Sequence, residues 1–209
     1  MDNRKKIVLQ STILMLLVVV IDQLSKLYIK THFFLGEEIH VMGNWFRLHF
    51  TENYGMAFGI ELGGEYGKLM LTFFRIAAVG VIGWFIVKMA GDSSQQKFTL
   101  PWTLILAGAV GNIIDSVFYG VWFGYDTWFH GRVVDMFYFP IVQTTLPENF
   151  PIWPGEEFEF FRPVFNVADA AISVGFIMVL VMQSEIFGSG KNKDKEESNV
   201  TSEGANTHE

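Results

Sequence analysis

Carboxylates embedded in apolar sequence are the residues most able to do chemistry in this chain. Asp22 lies in VVVIDQLSK, Asp115 in GAVGNIIDS and Asp169 in FNVADAAIS, while Asp135 sits in the apolar run VVDMFYFP. A charge placed among apolar residues is costly and marks a functional site by default. Local spacing adds partners. Asn112 and Asp115 are i, i+3, as are Asn166 and Asp169, so each pair shares a helix face. Asp22 and Lys26 are i, i+4 and can neutralise one another within an apolar medium. An asparagine one turn from an aspartate can orient its carboxylate or bind a peptide amide. Two carboxylates sharing a proton can activate water for amide hydrolysis, because like charges at close range keep one of them neutral.

Other chemistries lack their residues. Cysteine is absent, which removes thiol catalysis, Cys-ligated zinc, iron–sulfur clusters and disulfides. No HExxH occurs, and His32, His40, His49 and His130 lack metal-ligand spacing. Ser25 and Lys26 are adjacent, so on a helix they point about 100° apart and do not form a hydrolytic pair. No GxSxG elbow is present. The expectation is therefore no metal and no cofactor. With 15 Lys+Arg against 22 Asp+Glu, a net charge of −7 and no basic patch, nucleic acid is not an expected partner.

The elements that must position these residues are membrane spans. Of 209 residues 50% are hydrophobic and only 18% charged, and the apolar residues gather into long runs. A bilayer core needs about 20 residues of helix. Four stretches qualify: roughly 7–29, 72–89, 98–119 and 163–186. Pro101 and Pro163 fall near the predicted helix starts, where a missing N–H costs little. Ala107, Gly108, Ala109 and Gly111 allow close helix approach on the third span. The apolar stretch of the first span runs too long for a cleaved signal peptide, Asp22 and Lys26 follow that stretch within the span, and no small-x-small cleavage site closes it, so it reads as a retained anchor. Arg4, Lys5, Lys6, Lys88, Lys97, Lys191, Lys193 and Lys195 flank one set of span ends, whereas both long loops lean acidic. The positive-inside rule then places both termini in the cytoplasm and both loops outside. Arg75, read as one turn inside the outer end of span two, is expected to snorkel. Residues 188–209 are polar and read as a disordered cytoplasmic tail after a single membrane domain, 1–187.

At 1.5 Å per residue, Asp22 lies about 22 Å across the membrane from the inner face, Asn112 and Asp115 about 21–26 Å, and Asp169 about 9 Å below the outer end of its span. Helices that are independent in sequence thus place polar residues at one level, in the outer third. The plainer reading of such a layer is helix–helix hydrogen bonding. In the first loop Phe46, Leu48 and Phe50 alternate with Arg47, His49 and Thr51, the period of a half-buried strand. The aromatic-rich second loop suits the bilayer interface.

These blocks, in this order, resemble the bacterial lipoprotein signal peptidases (signal peptidase II), intramembrane aspartic proteases of the inner membrane. The resemblance runs from Ile7 to about Ile186. It rests on DQLSK at 22–26, NYGMAFG at 53–59, GAVGNIID at 108–115, GRVVDMF at 131–137 and FNVADAAI at 165–172. It implies Asp135 and Asp169 as the catalytic pair. It implies Asn53, Gly55, Asn112, Asn166 and Ala168 as substrate-binding or supporting, and Asp22, Lys26, Gly108, Asp115 and Arg132 as structural or supporting. The implied fold is four transmembrane helices with a small extracytoplasmic β cradle and a surface-lying extracytoplasmic helix, placed in the second loop. The implied reaction is cleavage of a lipid-modified prolipoprotein before its diacylglyceryl-cysteine, by a monomer in contact with membrane lipid. The chain departs from the family pattern at Ser116, where an arginine is usual; Arg132 is one candidate to supply that charge. It also carries a longer 140–162 segment, which reads as an extra outer hairpin or lid. The rival reading is a small transporter or proton-relay subunit using intramembrane aspartates.

Overall fold

The computed structural model describes residues 2–54, 64–140, 142–145, 147–148, 155, 157–160 and 163–182. Helix α1 spans Asn3–His32, an unbroken Leu/Ile/Val-rich run without Pro or Gly; it ends where Phe33 turns extended. A hairpin of β1 (Glu38–Met42) and β2 (Phe46–Asn53) follows. Helix α2 is Gly64–Ala90. Helix α3 is Thr99–Ile114, entered through a 3-10 turn and continued by a π turn, Asp115–Tyr119, and a last turn, Gly120–Trp122. Then come β3 (Val133–Tyr138), β4 (Val142–Thr145), β5 (Glu157–Phe160), β6 (Val164–Phe165) and helix α4, described over Val167–Met182.

The protein is a mostly helical, multi-pass membrane protein with a small antiparallel sheet at one end. Helices α1, α2 and the α3 continuation are long and apolar enough to span a bilayer, and α4 is a shorter apolar helix over its described part. Their outward faces are apolar and open, as at Leu24, Trp84 and Ile177. Such exposure suits lipid, not water. Helix α3 is the centre: half of its most apolar window is buried, against 6% for α1. Backbones meet where glycine allows it. A Cβ on Gly108 would lie 2.2 Å from the Ala168 carbonyl oxygen, and one on Gly175 2.6 Å from that of Pro101.

The sheet order is β1-β2-β3-β6, all antiparallel. Leu48 pairs with Phe137 but Thr51 with Asp135, so β2 carries one extra residue between them. A one-residue insertion moves everything beyond it to the opposite face. Asn53 thereby comes to the face of Asp135; in an unbulged strand it would point away.

Several expectations change. Helix α2 starts at Gly64, not near 72, so Arg75 lies about three turns inside it and is not one turn from its end. Pro163 precedes β6 and opens no helix; α4 begins at Val167. In β2 the buried residues are Arg47 and Phe50, because the bulge breaks the alternation and Arg47 is held by Glu38 at 2.8 Å. The expected extra hairpin in 140–162 is present as β4 paired with β5. Among the described residues of the second loop, no helix beyond Gly120–Trp122 is found where the surface-lying one was placed. The tail 188–209 lies outside the described residues.

Gly108→Ala should destabilise by about 1–3 kcal/mol, because a backbone carbonyl cannot give way without parting α3 from α4. Gly80→Ala, where a Cβ meets nothing within 4 Å, should not. Thermal unfolding of both variants in detergent checks this.

Candidate active site

Lys26 holds the site together. Its fully buried ammonium lies 2.9 Å from Asp22 Oδ2, 2.8 Å from Asp115 Oδ2 and 2.9 Å from Asn112 Oδ1. Three oxygen partners match the three protons of an ammonium. Each carboxylate has further donors. Gln23 Nε2 donates to Asp22 and, at 2.8 Å, to Asp115; the Val134 N–H points at Asp115. Gly111 makes room, since a Cβ there would come 2.6 Å from Asp22 Oδ2.

The N-terminus of α4 opens within this cluster. Its first N–H groups have no partners inside the helix. Asn166 Oδ1 accepts from the Asp169 N–H at 2.9 Å, and Asp169 Oδ2 faces the Asn166 N–H at 3.4 Å, a reciprocal capping box. Asp22 Oδ1 accepts from the Ala168 N–H at 2.8 Å. The positive end of the helix dipole favours both carboxylates.

Asp135 and Asp169 meet through asparagines. Asn166 Nδ2 donates to Asp135 Oδ1 at 2.7 Å, Asn53 Nδ2 donates to Asp135 Oδ2, and Asn112 Nδ2 donates to Asp169 Oδ1 at 2.8 Å. Asp135 is buried and Asp169 half-buried. Burial, then the negative charge of Asp169, push the Asp135 carboxyl up to about 7, against the pull of Asn166, Lys26 and Asn53. The arrangement provides one carboxyl poised to carry a proton near neutrality and a second, more open carboxylate beside it.

The structure brings together Asp22, Lys26, Asn53, Asn112, Asp115, Asp135, Asn166, Ala168 and Asp169. Gly108 lies at the α3–α4 contact, next to Ala168. Gly55 lies outside the described residues. Arg132 is elsewhere, 3.6 Å from Glu52 and over the Tyr54 and Tyr125 rings, so it does not replace a charge at position 116. Ser116 is buried, and its hydroxyl returns to the Asn112 carbonyl at 2.9 Å. The Ser25 hydroxyl likewise bonds the Asp22 carbonyl and is no nucleophile for Lys26. Gln23, which bridges Asp22 and Asp115, was missed; an amide inside an apolar run was its signal. Tyr119, whose hydroxyl donates to Gln23 Oε1 at 3.2 Å, and Lys68, whose ammonium donates to the Gly131 carbonyl, were missed as well.

Fold and site together define a polytopic membrane protein with an aspartate–asparagine centre at the sheet end of its helix bundle. Residues 14–184 match the family described as signal peptidase (SPase) II. The lipoprotein signal peptidase of Porphyromonas gingivalis is 48% identical, over 80% of this chain and 80% of its own. That of Amoebophilus asiaticus is 41% identical, over 79% of this chain and 74% of its own. Two solved bacterial membrane enzymes share the fold. One has a TM-score of 0.57 at 23% identity, over 84% of this chain and 88% of its own. The other has 0.58 at 24%, over 83% and 92%. The chain belongs to the signal peptidase II family and is a protease.

Lys26→Ala should cost about 3–5 kcal/mol, because it strands Asp22 and Asp115 without their cation. Restoring Asp22→Asn and Asp115→Asn alongside Lys26→Met should recover much of that loss in thermal unfolding. Asp135 gives a pH signature. With its native pKa raised above the unfolded value, the folded state binds the extra proton between about pH 4 and 7, so stability falls as pH rises through that window. Asp135→Asn should flatten that part of the Tm–pH curve.

Proposed function

We propose that this protein is an intramembrane aspartic endopeptidase that removes the signal peptide from lipid-modified prolipoproteins by cleaving before the diacylglyceryl-cysteine. The observation that carries this is the pairing of Asp135 on β3 with Asp169 on α4 through the shared Asn166. The names of the relatives, lipoprotein signal peptidases, support the substrate class. Asp169, the more open of the two, takes a proton from water while the water oxygen bonds to the scissile carbonyl carbon. Asp135 gives its proton to the carbonyl oxygen. The resulting diol collapses as the C–N bond breaks. The amide nitrogen takes the proton from Asp169, and one hydroxyl returns a proton to Asp135. Asn53, Asn112 and Asn166 fix both carboxyl groups, and Asn53 is placed to meet the substrate backbone.

The distribution of Lys and Arg supports a cell inner-membrane topology with both termini cytoplasmic and the site near the outer face. A signal helix lying across the bilayer, followed by a cysteine whose acyl chains sit in the outer leaflet, presents its scissile bond at that level. The working unit is a monomer surrounded by membrane lipid. A transporter or relay is less well supported, because the carboxylates gather at one depth.

Purified protein incubated with a lipidated prolipoprotein should release a product whose mass corresponds to cleavage before the modified cysteine. Asp135→Asn and Asp169→Asn should each lower kcat at least about 10³-fold while folding normally. For the wild-type protein, kcat/KM should decline above about pH 7 as Asp135 loses its proton. Cleavage by Asp135→Asn at the wild-type rate would refute the assignment.

A further inference from the structure

The balance of charge around the aspartate pair points to α2. Asp22, Asp115, Asp135 and Asp169 bring four carboxyl groups to one region. Lys26 is saturated by Asp22, Asp115 and Asn112, so its protons are not available to Asp135 or Asp169. Arg132 is engaged with Glu52, Tyr54 and Tyr125 at the sheet edge. Ser116 adds no charge, and its buried hydroxyl is turned back onto its own helix.

Between the charged residues at its ends, Glu65 and Lys88, helix α2 is mostly apolar, but Lys68, Thr72 and Arg75 stand at i, i+4 and i+7 on one stripe. That stripe faces the site. Lys68 and Thr72 are buried, and the Lys68 ammonium donates to the Gly131 carbonyl at the entry to β3. The Gly131 N–H in turn donates to the Ser116 carbonyl at 2.9 Å. Arg75 is on the same face, about 10 Å farther along the helix from Lys68. The carboxylates whose charge acts on it are Asp169 first and Asp115 second.

We propose that Arg75 is a positioning residue for the aspartate pair: its guanidinium, presented by α2, supplies the site with the positive charge that position 116 does not carry. This rests on Asp135 and Asp169 being the catalytic pair. The guanidinium charge acts on Asp169 from α2 while Asn112 holds its Oδ1 from α3. Around Asp169 the other facing groups are Asn112 from α3, Asp135 from β3 and Asn166 from its own cap, with Asp115, Lys26 and Asp22 behind them.

The test compares full-length wild-type, Arg75→Met, Arg75→Gln and Arg75→Lys proteins in detergent on a lipidated prolipoprotein substrate, with Asp135→Asn and Asp169→Asn alongside. Arg75→Met and Arg75→Gln should lower kcat about 10–100-fold with KM changed less than about two-fold. Arg75→Lys should retain most of the activity, because it keeps the positive charge. Wild-type kcat in Arg75→Met or Arg75→Gln, while both aspartate variants are inactive, overturns the proposal. So does a fall in Tm with kcat per folded molecule unchanged, which would make Arg75 part of the scaffold alone. Cleavage by either aspartate variant would instead refute the reading of the pair itself.

Discussion

A single ammonium inside the membrane is the interaction on which the site depends. Lys26 and its two carboxylates would each be costly alone in hydrocarbon; together, with every proton and most lone pairs occupied, they form a hydrogen-bonded knot. Its ties run outward. Asp22 reaches the Ala168 N–H of α4, and Asp115 reaches the Val134 N–H of β3. Asn112, the third partner of Lys26, reaches Asp169. Each element that carries an aspartate of the proposed pair is thus one residue removed from Lys26. The benefit is geometric more than energetic: a buried ion pair contributes little net stability, but it admits few alternative arrangements.

The second constraint is that α4 begins inside this polar cluster instead of in water. A helix start needs acceptors for its free N–H groups, and here Asn166, Asp169 and Asp22 supply them. Asp169 therefore has two duties. One oxygen faces its own cap and the other is held by Asn112, so the carboxylate is fixed by the same bonds that start the helix. Replacement by asparagine keeps one carbonyl acceptor for these contacts. It removes the charge without removing the cap altogether, so that variant tests the proposed chemistry apart from folding.

Much of this arrangement was legible in the sequence, for physical reasons. Lengths of apolar run report the spans, and polar residues inside them are too costly to be accidental, so Asp22, Lys26, Asn112, Asp115, Asn166 and Asp169 stood out together. The start of α2 did not, because GEYGK lacks the apolar periodicity of a span although it winds as the first turns of one. Pro163 imitated a helix start because proline suits both a first helical turn and a strand edge. The face of Asn53 depended on a bulge, which is a property of pairing and leaves no mark in β2 alone. Arg75 read as a snorkelling residue only because its helix was taken to begin too late.

Where the polar network stops is as informative as where it lies. Away from the sheet end, three threonine hydroxyls are bonded to carbonyls of the preceding turn: Thr12 to Val8, Thr99 to Gln96 and Thr103 to Thr99. Such bonds close on themselves and pass no proton onward. A relay through the membrane requires titratable groups at successive depths, each within reach of the next. Here the carboxylates, the asparagines and Lys26 bond to one another in a single layer, under a sheet that contributes Asp135 and Asn53 from above. A layer closed on the helix side and bounded by strands on the other is suited to holding an extended peptide against two carboxyl groups. It is not suited to carrying charge across the bilayer.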